Sequence, residues 1–545
     1  MYVRIKKAGP YQYLQIVESR REGKKVKQRV LATLGRLEQL QSSGSIDALL
    51  KSLSRFSQET LLVLTRKSHP DAKTRKWGPV LIFEKLWQET GIRQILHDLA
   101  RERKFGFDLE RAIFISVLHR LLVSGSDRYC HHWHTDYKID GGSELSLQHF
   151  YRAMAFLGEA LTDPSEASWS TRRTKDIIEE QLFLARRDLF SDLELVFFDT
   201  TSLYFEGSGG ETLGRYGHSK DHRPDLRQMI VGVILDNQGR PICCEMWPGN
   251  IADVKTLKPV VQRLKARFDI RRMCIVADRG MISREVLDWL ESPQNEMEYI
   301  LGTRMRRVRE IRQEVLSRGG RYQEVYPEGL RSKDPSPLQV KEVIVEDRRY
   351  IVCLNSKQAR KDAADREVIV KALERALGKG AKTLVGNKGY RKYLKVSGGS
   401  MSIDLDKIQS EARFDGKWVL QTNTPLESSA VALKYKELWQ VEHIFRSMKS
   451  LLDTRPIYHQ RDDTITGHVF CSFLALVLLK ELERRLHQSG CDFEWQQIKQ
   501  DLQSFQEIIV EDNGKRVALR TECKGVCGKV FQATGVAIPP NIRTI

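Results

Sequence analysis

The sequence predicts an α/β protein in which a mixed sheet flanked by helices carries a mainly β insertion, with helical regions at both ends. Three observations predict it. Between about 193 and 304 the apolar pattern gives three strand-like runs, then helix, strand, helix and strand. Ahead of that, from about 78 to 190, apolar residues recur with helical spacing. From about 305 to 415 strand-like segments and one helix interrupt the order, and DGKWVLQTN then reads as a returning strand.

Taken in order, residues 1–75 read as a small basic module. Two strand-like runs, Tyr13 to Ser19 and Val26 to Leu34, flank a turn at Arg21-Glu22-Gly23-Lys24-Lys25, as in a hairpin. Lys24, Lys25, Lys27 and Arg29 make it basic, which fits either DNA contact or a solvated face. Residues 76–192 form a helical region broken at Gly141-Gly142-Ser143 and Asp163-Pro164-Ser165-Glu166, suited equally to binding DNA or to packing. The first part of the core spans 193–304. LELVFFDTTSLYFEG is its first strand, and two more are joined at Asp236-Asn237-Gln238-Gly239. VKTLKPVVQRLKARF is an amphipathic helix with Asp253 as its expected N-cap, and Ser283 caps the next. The insertion is placed at 305–415 and the second part of the core at 416–480, with one long helix from about Ser428 to Leu452. Residues 481–545 read as helical and basic.

Composition sets the classes. The chain has 545 residues, and 89 Lys plus Arg against 71 Asp plus Glu leave a net charge of +18, which argues for a polyanionic partner such as nucleic acid. The longest apolar run, Val469 to Leu479, is too short for a membrane span and reads as a buried helix. The N-terminus has no apolar signal segment, and 9 scattered cysteines fit a reducing cytosol better than a disulfide framework.

Three carboxylates stand out. Asp199 lies within the apolar strand LVFFDTTSLYF, where an ionised group is costly unless something positive binds it. Asp278 ends the apolar strand CIVADRG, and strand ends are where α/β sheets gather their ligands. Taken alone, Asp199 could equally be a satisfied polar residue and Asp278 a turn residue before Gly280. Glu442 lies in KYKELWQVEHIFRSMKS, and seven-residue spacing puts Tyr435, Glu442 and Lys449 on one helix face. Two strand-end aspartates with a helical glutamate make a hard-oxygen set for two Mg²⁺ or Mn²⁺ ions, as in-line phosphoryl transfer requires. The strand order matches a ribonuclease-H-like fold.

On these residues the chain resembles a bacterial insertion-sequence transposase of the DDE type. More narrowly it resembles the insertion-sequence-four superfamily, which carries a mainly β insertion between the second Asp and the Glu. The family motif is Tyr, two residues, Arg, three residues, Glu, six residues, Lys. Tyr435, Glu442 and Lys449 stand at those spacings, and Leu438 replaces the Arg. Asp199 in FFDTTSL matches the first catalytic Asp and Asp278 in VADRGM the second. The N-terminal module and VEHIFRSMKSLLDTRPIYH resemble the branch whose type element is numbered sixteen thirty-four. The resemblance implies cut-and-paste DNA transposition. The enzyme would bind double-stranded DNA at its element's terminal inverted repeats, cut a strand, and join the 3′-hydroxyl to target DNA. It implies a homodimer in the synaptic complex, the bacterial cytoplasm beside the nucleoid, no membrane partner, and a phosphate held by Tyr435 and Lys449. The alternatives are a metal-dependent nuclease and an inactive copy acting as a DNA-binding repressor.

Other residues extend the expected DNA surface. Lys220, Arg223 and Arg227 lie in the basic loop GHSKDHRPDLRQ, which fits either a DNA backbone contact or an exposed charged loop, and Arg446 follows Glu442 on its helix. Trp418 and Trp247 read as aromatics beside the core, and the resemblance offers Trp418 as a platform for a flipped base. Neither Cys130-His131-His132-Trp133-His134 nor the Cys523/Cys527 pair has the spacing of a metal site.

Overall fold

The computed structural model describes residues 1–22, 25–53, 71–101, 103–161, 171–186, 194–268, 270, 272–295, 297–326, 338–378, 392–397, 400–452, 454–512 and 515–544. The turn at 23–24, the break at 163–166 and the Gly/Lys-rich stretch after Gly378 fall outside these residues. Two compact units emerge, one of residues 1–79, 136–138 and 493–545, the other of 80–135 and 139–492.

In the first unit, strands Tyr2–Ala8, Tyr11–Glu22 and Lys25–Arg36 form an antiparallel sheet, one strand more than the expected hairpin. A second sheet joins Asp71–Lys76 to Gln506–Asp512, and that strand to Lys515–Arg520 and Ile542–Thr544. This corrects the helical reading of the C-terminal region. QEIIVED and KRVALR each centre on a short apolar run, and the first pairs with a segment more than four hundred residues upstream, which no local pattern shows.

The second unit holds the expected α/β core. Among the helices ahead of the sheet are α1 (Leu109–Leu122), α2 (Leu147–Gly158) and α3 (Thr174–Arg186). There follow β1 (Glu194–Tyr204), β2 (Gln228–Leu235), β3 (Pro241–Pro248), α4 (Leu257–Phe268), β4 (Met273–Ala277), α5 (Arg284–Leu290) and β5 (Glu298–Gly302). The meander turns at Gly239, whose φ of 71° is the left-handed value such a turn needs. The segment from 305 to 415 adds β6 (Gln323–Glu324), β7 (Leu338–Val345), β8 (Arg348–Asn355) and the long α6 (Ser356–Gly378), a mixture rather than a mainly β module. It does not fold apart. β6, β7 and β8 extend the central sheet through β9 (Lys417–Thr422), in the order β6-β7-β8-β9-β5-β4-β1-β2-β3. Among the described residues of this sheet only the β1–β4 and β4–β5 pairs are parallel.

One face of the sheet packs on α4 and α5 through Val196, Phe198, Ile275, Ala277, Val260, Leu264 and Leu287. Buried Leu–Ile–Val–Phe contacts of this kind supply most of the stability of such a layer. The chain then forms α7 (Ser428–Lys436), α8 (Trp439–Arg446) and α9 (Asp462–Gln488). By length and apolar content α9 passes for a membrane span, but 89% of that stretch is buried inside the protein. Bare Gly467 lets it cross α2, because a Cβ there would overlap the Met154 carbonyl.

Candidate active site

Strand register puts the two aspartates side by side. Phe198 pairs with Ala277 across parallel β1 and β4, so Asp199, midway along β1, is the neighbour of Asp278, which follows the last residue of β4. Their predecessors Phe198 and Ala277 face the α4 side, so the alternation of a strand sends both carboxylates to the other face. Ala277 pairs in turn with Leu301, which makes Gly302 the next position in this row. A Cβ at Gly302 would overlap the Tyr435 hydroxyl, so the bare position admits the phenol, which donates to Asp278 Oδ1 at 3.0 Å.

Asp199, Asp278, Glu442, Tyr435 and Trp418 line one cavity of about 530 Å³, together with Arg279, Arg306, Leu438 and Trp439. Trp439, an indole the sequence did not single out, is 60% exposed. Burial pushes the Asp199 carboxyl up to about 6; Lys220 and the Thr200 amide oppose this, while Asp278 and Asp253 add to it. Burial and the neighbouring Asp278 raise the Tyr435 phenol as well, so it stays a donor. The three carboxylates offer only oxygen, the donor a hard divalent cation takes, but among the described residues their oxygens do not gather within 4.8 Å of one another.

The single long helix expected over 428–452 is broken. After α7 the chain tightens, with Leu438 N bonding to Tyr435 O and Gln440 N to Glu437 O, and α8 begins from Leu438. Past α8 a wide turn runs from Ser447 to Leu451. Tyr435 and Glu442 still share the cavity. Lys449 instead donates to Asp221 Oδ1 at 2.8 Å and is not among the cavity's lining residues.

The basic loop divides the same way. Lys220 lies beside the Asp199 strand, bonding Thr200 O at 2.7 Å and Asp253 Oδ2 at 3.1 Å. Arg223 forks onto Asp225, Arg227 bonds Ser208 O, and Arg446 is exposed on α8; none of the three lines the cavity. Trp247 packs edge-on against Phe198. Asp253 corrects an expectation. It does not cap α4, which starts at Leu257 after a short turn, but accepts from Thr200 Oγ1 at 2.8 Å. An Asp just before a helix has the same signature whether it caps or reaches sideways, so sequence alone could not separate the two.

A second group, Asp127, His459 and His468, brings its ligand atoms within 4.8 Å of one another. It is poorly made for a metal. His468 Nδ1 faces Arg120 Nη2 at 3.0 Å and its Nε2 faces Thr454 O at 3.1 Å, so both ring nitrogens are engaged. A guanidinium already serves the buried carboxylate, with Arg120 Nη2 at 3.8 Å from Asp127.

A family model described as "Transposase DDE domain" matches residues 191–478. A second, described as "IS1634 family transposase, N-terminal domain", matches residues 3–68. No curated protein matches. Among solved structures, a cryo-EM structure of a piggyBac transposase synaptic complex with hairpin DNA is similar at 11% identity and a TM-score of 0.41, over 82% of each chain.

Proposed function

The chain belongs to the DDE transposases, with an N-terminal domain of the IS1634 family, and from that premise we propose how its own residues perform DNA transposition. A DDE transposase acts on DNA and depends on a divalent metal. Asp199, Asp278 and Glu442 are the residues that would hold two Mg²⁺ ions. Bound there, the ions would activate the attacking oxygen and stabilise the leaving one. The observation that carries this reading is the register that sets Asp199 beside Asp278, with Glu442 on the same cavity.

The other residues divide the remaining work. Tyr435 fixes the rotamer of Asp278 through its hydrogen bond. Lys220, Thr200 and Asp253 pin β1 at the residue beside Asp199. Arg279 and Arg306 give the cavity wall cations for a DNA backbone, and Trp418 gives a flat face on which a displaced base can stack. The reaction is in-line phosphoryl transfer, with water as the first nucleophile and the freed 3′-hydroxyl as the second. DNA is engaged at the terminal inverted repeats and then at the target. The element's two ends are held by a homodimer.

Strand transfer of the element's own ends in Mg²⁺ tests the proposal, wild type beside Glu442→Ala. Joining of cut ends to target, lost in the variant, is the expected result. Cutting without joining would make the chain a nuclease. Binding by a folded wild type with no metal-dependent chemistry would leave a repressor.

A further inference from the structure

Beyond the carboxylate cavity, two cations converge on one buried acid. Lys449 Nζ lies 2.8 Å from Asp221 Oδ1, and Arg455 Nη1 lies 3.2 Å from the same oxygen. The Asp221 side chain is only 6% exposed. Its second oxygen has no hydrogen-bond partner among the described residues, and neither has Arg455 Nε. The Arg455 guanidinium lies over the Tyr204 ring at 5.5 Å, at the end of the strand that carries Asp199.

This arrangement is half used. A carboxylate is a small planar anion, and here one of its oxygens takes both cations while the other is left bare. A guanidinium offers a fork of parallel donors, and here Nε of the fork has nothing to hold. A tetrahedral anion with two free oxygens would use what Asp221 leaves over. The loop that delivers Asp221 is also held in an uncommon conformation. His222, the next residue, has φ of 57°, a left-handed value costly for a residue with a side chain. Ser219 Oγ accepts from the backbone amides of Asp221 and Arg223, and Ser202 Oγ accepts from that of Lys220. These bonds hold the loop in place against that cost. Leu438, buried where the family motif has Arg, leaves Tyr435, Glu442 and Lys449 without a guanidinium of their own. Arg455 brings one to Lys449 from downstream.

The geometry points to a phosphodiester site built by Lys449 and Arg455, which Asp221 fills as an internal stand-in for phosphate until DNA enters. The inference rests on the reading of the chain as a transposase that engages DNA with Lys449. The site takes a DNA backbone phosphate, and the 217–227 loop withdraws Asp221 when it does. Asp221 thereby sets a threshold. Only a phosphate presented in the right place displaces a carboxylate already paired.

Metal-free binding separates this site from catalysis. The probe is a duplex of the element's terminal sequence, followed by fluorescence anisotropy over a series of salt concentrations. Asp221→Asn keeps the side-chain volume and frees both cations, and is expected to tighten binding by roughly tenfold. Arg455→Gln leaves Asp221 paired with Lys449 and is expected to weaken binding and lower the salt slope by about 1. In the double variant the gain from Asp221→Asn should shrink. Weaker or unchanged binding by a folded Asp221→Asn protein overturns the stand-in. An unchanged salt slope in Arg455→Gln overturns the site even if Asp221→Asn fails to fold. Neither result touches metal-dependent strand transfer by the wild type, whose absence would instead overturn the transposase mechanism.

Discussion

Asp199 carries a conflict between folding and function. Its carboxyl is pushed up to about 6 from the usual 3.8, chiefly by burial. Between those values the native metal-free chain holds a proton that the unfolded chain has released. Stability therefore falls as pH rises through this window, and the deficit persists above it. The shift corresponds to an upper limit of about 3 kcal/mol. Asp199→Asn removes the buried charge, so in chelator near neutral pH it should stabilise the chain by about 1–3 kcal/mol while abolishing strand cleavage. Near pH 4 the gain should vanish. Thermal melts of both proteins at the two pH values check this, and a lower melting temperature for the variant at neutral pH would sink it. At this scale much of the cavity was legible. Asp199 and Asp278 interrupt apolar strands, and Glu442 stands at a motif spacing from Tyr435. Asp253 was hidden by its place before a helix, and Asp221 and Arg455 by folding onto partners that sequence does not bring near.

Single elements are held together behind the sheet by buried charge as well as by apolar packing. Lys175 on α3 reaches Asp176 at 2.7 Å and the Cys244 carbonyl of β3 at 2.7 Å. Arg267 on α4 reaches Glu179 at 2.6 Å, Glu180 at 2.9 Å and Glu245 at 3.1 Å, and Arg263 reaches Asp176 and Glu245 at 3.0 Å each. Three cations and their carboxylates thus tie α3, α4 and β3 into one layer. The neighbouring carboxylates hold the Lys175 ammonium above its usual value although burial opposes it. Asp176 is held well below the usual range by the cations around it, against the effect of burial. Lys175→Met removes one of three cations from a layer that already holds four carboxylates, and two of these, Asp176 and Glu179, cannot reach water. It should cost about 3–5 kcal/mol. Urea unfolding measures it, and a loss below about 1 kcal/mol would show that the cluster relaxes around the gap. The strands and helices of the core were readable because each is a run of one period. The break between α7 and α8 was not, because KYKELWQVEH keeps helical residues straight through it. What breaks the helix is the fit of Tyr435 into the space above Gly302 and of Leu438 into the interior, both tertiary effects.

The boundaries of whole units obey a different logic, since a unit closes wherever its strands find partners. Asp71–Lys76 pairs along its length with Gln506–Asp512, from Lys76 opposite Gln506 to Asp71 opposite Glu511. Trp77 then packs near Phe505, with ring centroids 6.2 Å apart, and is covered by Lys138 at 3.8 Å and Arg543 at 4.6 Å. Glu507, 2% exposed, receives both of those cations. A division at residue 75 and another at 481 cut across this sheet, because sequence separates at its two ends what the fold joins. The consequence can be measured by truncation. A chain ending at residue 492 lacks the partner strand, the Phe505 ring, Arg543 over Trp77, and the Glu507 carboxylate that holds Lys138 there. Asp71–Lys76, an edge strand whose ladder partner is Gln506–Asp512, would be left with its backbone donors and acceptors unpaired, next to an indole returned to water. Limited proteolysis should then cut near residues 71–79 much faster than in the full chain, by at least about tenfold, since cleavage follows the population of the open segment. The α/β core contributes none of the strands of this sheet, so fragments of the core should survive the same digestion. Equal protection of residues 71–79 in both chains would mean that the N-terminal strands fold without their C-terminal partner, and that the unit is not the discontinuous one its hydrogen bonds describe.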